Sequence, residues 1–92
     1  MLNATYSKNF KKSLKKKDKF IQEKVRERIR LLREDPSNVL LNNHKLHGEY
    51  GGCNSINITG DFRVVFKYLN ENQVVFLDIG THTELYGQKH RN

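Results

Sequence analysis

The apolar residues of this 92-residue chain follow two different periods, and the switch between them limits its possible folds more than any other feature. From Ser7 onward they recur at helical spacing. Phe10 and Leu14 stand among Lys8, Lys11, Lys12, Lys15, Lys16 and Lys17, with Ser7 placed to cap a short basic helix. Ile21, Val25, Ile29 and Leu32 then repeat at i, i+4, i+8 and i+11 behind Asp18, while Lys24, Arg26, Arg28, Arg30 and Arg33 lie off the stripe. This is a second, amphipathic helix. Asp35-Pro36-Ser37-Asn38 ends it, because proline disfavours helical backbone in the residue before it and its neighbours form turns. A loop runs to about Gly52, and beyond it the period falls to 2. Ile56 and Ile58 alternate with Ser55, Asn57 and Thr59, and the segments 62–69 and 74–79 follow across turns at Gly60-Asp61 and Asn70-Glu71-Asn72. Three strands with such short connections form an antiparallel meander. Leu2, Ala4 and Tyr6 alternate with polar neighbours, a stretch too short to decide alone, and suggest a short first strand. The last two strands are apolar on both faces, as expected if helices cover one face and something else covers part of the other.

A chain of this length makes one domain, residues 1–92, because a second hydrophobic core could not be built from what remains. Apolar residues at 36% in periodic clusters, against 29% charged, exclude wholesale disorder. No apolar run approaches the roughly 18–20 residues of a bilayer span, and the first residues lack a basic segment followed by an apolar one. A cytoplasmic location, with no membrane partner, is the expectation. The single cysteine, Cys53, cannot form an internal disulfide, and there is no Cys/His quartet for structural zinc. No metal and no cofactor is expected.

The net charge of +7 is unevenly placed: residues 1–38 hold twelve basic and five acidic side chains, and residues 39–92 hold five of each. A basic region of this kind concentrates polyanions, whether nucleic acid, an anionic surface or an acidic protein segment, and it also serves simply as a solvated face.

Residues suited to chemistry gather instead in the neutral half. His44 and His47 lie before the meander, Asp61 and Arg63 flank the start of its second strand, and Asp78, His82 and Tyr86 lie at its exit. The loop before the first of these strands, the turn at Gly60-Asp61 and the exit of the last strand can fall at one end of the sheet, so three segments can share one site. Cleavage of RNA by its own 2′-hydroxyl needs a base for that proton, an acid for the leaving 5′-oxygen and a fixed positive charge on the phosphate, without a metal. Two histidines and an arginine meet that need. Each also has a plainer role: His47 and His90 as surface polar residues, Arg63 as an ion-pair partner of Asp61 or another carboxylate, and Asp61 as a turn former. The glycine-rich 48–52 stretch reads as a flexible loop, and 87–92 as a polar tail.

Leu46-His47-Gly48, Ser55-Ile56-Asn57-Ile58, Gly60-Asp61-Phe62-Arg63-Val64-Val65-Phe66 and Ile79-Gly80-Thr81-His82-Thr83-Glu84-Leu85-Tyr86, in that order behind two helices, resemble the RelE/ParE superfamily of bacterial addiction-module toxins and its YafQ-like branch. The resemblance implies an α+β fold of β-α-α-β-β-β order, a four-stranded, mainly antiparallel sheet with two helices packed on one face. It also implies ribosome-dependent endoribonuclease cleavage of messenger RNA and silencing by a cognate antitoxin. Carried over position by position, it assigns catalytic places to His44, Asp61, His82 and Tyr86, with Arg63 common in the wider superfamily. His82 would act as acid, His44 as base, Arg63 on the phosphate and Tyr86 as a stacking platform, while Lys45, His47, Lys11, Lys12, Lys15 and Lys16 would contact RNA. Two positions depart from the branch: Asn57 stands where it carries a histidine, and Asp78 where it carries an arginine. Asn57 cannot exchange a proton near neutral pH, and Asp78 would repel a phosphate. The alternatives are therefore a catalytically impaired member, a ParE-like toxin that poisons DNA gyrase by binding, or a plain nucleic-acid-binding module.

Overall fold

In the computed structural model, residues 1–87 are described. Strand β1 (Asn3–Tyr6) leads into helix α1 (Lys8–Lys15), whose N-cap Ser7 accepts a hydrogen bond from the Phe10 amide, and helix α2 (Lys19–Glu34) starts where Asp18 accepts from the Ile21 amide. The two helices are tied end to end. Gln22 of α2 donates to the carbonyls of Leu14 and Lys17 at 3.1 Å, bridging the end of α1 and the turn that follows it. Arg33 and Leu2 exchange two bonds, Leu2 amide to Arg33 carbonyl and Arg33 Nε to Leu2 carbonyl, which fix the end of α2 beside the start of β1.

The meander follows as β2 (His44–Lys45), β3 (Asn54–Thr59), β4 (Phe62–Asn70) and β5 (Gln73–Thr81), and a third helix, α3 (His82–Tyr86), closes the described chain. Sheet order is β1-β5-β4-β3-β2, with β1 parallel to β5 and the other pairs antiparallel. Among the described residues the structure thus corrects the expected four strands and two helices to a five-stranded mixed sheet and three helices. β2 has only two residues, too few for any alternation to register in sequence. α3 is a single turn, started by a capping box in which the Thr81 and Glu84 side chains each serve the other's backbone. The 48–52 stretch, expected to be a flexible loop, contains a 3₁₀ turn at Gly48–Tyr50. Of the expected polar tail, everything from Gln88 lies outside the described residues, as does His90.

One face of the sheet is sealed by α1 and α2. Ile21, Val25, Ile29 and Leu32 of α2 and Phe10 of α1 bury against Ile56, Ile58, Val64, Phe66, Val74 and Phe76. The other face carries a smaller cluster, Cys53, Val65 and Leu85, with Leu46, Tyr50, Leu77 and Tyr86 packed against it. Gly80 lets α3 lie across this face, since a Cβ there would come within 3.0 Å of Glu84 Oε1 and 3.2 Å of its Cβ.

Candidate active site

Strand register decides what the open face displays. Asn57, Arg63 and Gly80 stand side by side on β3, β4 and β5, and the next row of the same face reads His44, Ser55, Val65 and Asp78 from β2 to β5. Beyond the end of β5, α3 adds His82 in its first turn and Tyr86 one turn later. Asn42, Leu46 and His47 complete the rim of a cleft of about 370 Å³ lined also by His44, Arg63, His82 and Tyr86. The smaller apolar cluster supports it from beneath.

His44 reaches the cleft because Asn42 adopts left-handed backbone, φ 46°, and turns the chain from the 3₁₀ turn Val39–Leu41 into β2. The same residue orients the imidazole, its carbonyl 2.7 Å from His44 Nδ1. A carbonyl only accepts, so that bond places the hydrogen on Nδ1 and leaves Nε2 with its lone pair in neutral His44. His82 lies edge-on to Tyr86, ring centroids 4.8 Å apart, and Tyr86 is in turn held edge-on by Tyr50 at 5.7 Å and by a hydroxyl contact to buried Ser55 at 3.5 Å. Arg63 is half-buried and donates from Nη1 to the side-chain oxygen of Asn57. The plainer alternative, an ion pair with Asp61, does not form, and among the described residues no carboxylate pairs with Arg63.

Not every residue singled out in the sequence meets here. Asp61 is exposed at the β3–β4 turn, and its backbone carbonyl accepts from the His82 amide at 3.1 Å, so its main chain anchors the start of α3. Lys45 follows His44 on β2 and therefore faces the opposite side of the sheet, where it lines a separate depression with Asn54 and Tyr68. Lys11, Lys12, Lys15 and Lys16 are exposed on and just after α1, in the layer that covers the other face. Asp78 is half-buried on the cleft side of β5 without lining the cleft, and its Oδ1 accepts from the Ile79 amide. Sequence reasoning missed the parts played by Asn42, Leu46 and Ser55. Only Ser55 carried a trace, as a polar residue alternating with isoleucines on the face opposite theirs.

Glu84 holds α3 in place. Its Oε1 accepts from the Thr81 amide at 2.8 Å, and this bond holds the carboxyl below its usual range against the opposing effect of burial, with help from the charge of Lys17 at 3.9 Å and from the Thr81 hydroxyl. Lys17 also lies 5.5 Å from the centre of the Phe62 ring. Among the described residues, no three of His, Cys, Asp and Glu are grouped as metal ligands, and no helix is long and apolar enough to cross a membrane.

The family model of YafQ, a bacterial toxin of type II toxin-antitoxin systems, matches residues 2–87. YafQ of E. coli BL21(DE3) superposes with a TM-score of 0.76 at 23% identity, over 95% of this chain and 100% of that one. E. coli YafQ in its toxin-antitoxin complex with DinJ gives 0.74 at 25% identity, over 94% and 98% of the two chains. HP0894 of Helicobacter pylori gives 0.68 at 25%, over 94% and 100%. No curated protein matches the sequence. With the family model spanning nearly the whole described chain, this protein belongs to the YafQ family of bacterial toxins of type II toxin-antitoxin systems.

Proposed function

We propose that this toxin is an endoribonuclease that cuts messenger RNA on the ribosome by activating the RNA's own 2′-hydroxyl. The observation that carries this reading is the meeting of His44, Arg63, His82 and Tyr86 in one cleft of a YafQ-family chain. His44 Nε2 takes the 2′-proton, a role its Nδ1 bond to the Asn42 carbonyl favours. The 2′-oxygen attacks phosphorus, and Arg63 balances the charge that builds on the phosphate oxygens. His82 gives a proton to the 5′-oxygen as its bond to phosphorus breaks, leaving a 2′,3′-cyclic phosphate and a 5′-hydroxyl. No metal is needed, because the nucleophile belongs to the substrate. Tyr86, braced by Tyr50, offers a ring face on which a base can stack. His47 adds a polar contact at the rim, and Lys11, Lys12, Lys15 and Lys16 supply the diffuse attraction to ribosomal RNA. The main chain of Asp61 acts on His82 as a tether, and Lys45 serves binding outside the cleft.

A cognate antitoxin is the proposed protein partner, as DinJ is for E. coli YafQ. A groove of about 450 Å³ between the helices has an apolar floor that includes Phe10, Leu14, Val25 and Ile29 and a rim that includes Lys11, Arg26 and Arg30. An amphipathic segment with acidic flanks fits that pattern of apolar floor and basic rim.

Induced expression without antitoxin tests the reading: growth should stop with translated messages cut. Growth arrest with intact transcripts and trapped gyrase would move the toxin to the ParE class.

A further inference from the structure

We propose that Asn57 is the positioning residue of Arg63, holding its guanidinium in the cleft while leaving its charge intact. The inference rests on the ribonuclease reading above. Arg63 has a cross-strand neighbour on either side: Asn57 on β3 and Gly80 on β5. Gly80 offers no side chain, so Asn57 is the one neighbour in this row able to orient it. The amide oxygen accepts from Nη1, and both side chains are half-buried. Without such a bond a long arginine side chain populates many rotamers, of which few point its donors at a phosphate.

The chemistry of the acceptor matters as much as its place. A neutral amide uses one donor and cancels no charge, so the remaining guanidinium donors meet the phosphate at full positive charge. A carboxylate at 57 would orient Arg63 equally well but compete with the phosphate for it. A histidine, when protonated, would repel it. The departure at 57 therefore suits a site whose fixed charge comes from Arg63 on β4, and it goes together with Asp78 at the place where the branch carries its arginine. Residues 57 and 63 lie equally far from Gly60 along a tight hairpin, which is why they meet.

Single-turnover cleavage of a message on translating ribosomes tests the proposal with the full chain, Asn57→Ala, Arg63→Ala, the double variant and the isosteric Asn57→Asp. Asn57→Ala should slow cleavage at saturation roughly ten- to a hundredfold, with an unchanged half-saturating ribosome concentration and melting transition. The double variant should cut at the rate of Arg63→Ala alone, because Asn57 acts only through Arg63. Asn57→Asp should also be slowed, with its fold intact. An undiminished rate in Asn57→Ala, an undiminished rate in Asn57→Asp, or losses that multiply in the double variant, would overturn the proposal. If the wild type cuts no message, the ribonuclease reading fails separately. The clamp is then tested by titrating adenosine 3′-monophosphate while following the Arg63 side-chain resonance. Weaker binding by both Asn57 variants supports the clamp, and equal affinity, or no binding by the wild type, rejects it.

Discussion

The two faces of the sheet share their strands and differ in what lies on them. On the helix side, β3, β4 and β5 present Ile56, Ile58, Val64, Phe66, Val74 and Phe76 to α1 and α2 as one apolar cluster. On the other side, the alternate residues of β3 and β4 are Ser55, Asn57, Arg63 and Val65, and among the described residues the one-turn helix α3, Leu46 and the loop around Tyr50 pack on this face. Alternation along a strand thus separates the apolar core from the residues proposed for chemistry within a few ångströms. The sealed face can hold the sheet rigid, so the open one can leave polar side chains uncovered in a cleft.

The sharpest way to break this comparison is to cut into the sealed face. Phe76 is fully buried and packs its ring against Tyr6, Phe10 and Phe66 at centroid distances of 5.5–5.6 Å. Phe76→Ala should cost about 3–5 kcal/mol in a denaturant titration. Tyr86→Ala on the open face should cost well under that, and equal costs would mean that both faces carry the fold. Next in size is Gly80→Ala, which forces a methyl against Glu84 and Leu85. It should destabilise by about 1–3 kcal/mol and lower cleavage as well, because α3 carries His82. Stability lost without a change in cleavage would uncouple α3 from the site.

The smallest effect sharpens the picture of α3. The Glu84 carboxyl is lowered in the folded chain, so its contribution is present above the ordinary carboxylate range and is lost as pH falls through the folded value. Glu84→Gln keeps the capping hydrogen bond and removes the charge. Its melting transition should lie slightly below the wild type at neutral pH, by about 0.5 kcal/mol at an exposed site, and converge with it in acid. A difference that persists unchanged in acid would assign the effect to packing instead of charge.

Helices α1 and α2 were legible because their apolar stripes and caps are local: Ser7, Asp18 and the Ile21 to Leu32 stripe each act within one or two turns. The meander was legible through its turns. β2 was not, since a two-residue strand exists only through its pairing with Asn54 and Ser55. At the site, the residue types were readable and their sides were not. His44 and Lys45 are adjacent in sequence and face opposite ways, which only the register reveals. Asn57 read as a lost catalytic histidine, whereas the structure joins it to Arg63 across the hairpin.

The most direct measurement of the central claim is the single-turnover cleavage rate of His82→Gln on translating ribosomes, taken together with its melting transition. If the open face holds the chemistry and the sealed face the stability, the rate falls by roughly 10²–10⁴-fold while the transition stays where it was. An unchanged rate in a folded His82→Gln protein would contradict the claim, removing His82 from the mechanism and leaving it as the first residue of a capped turn.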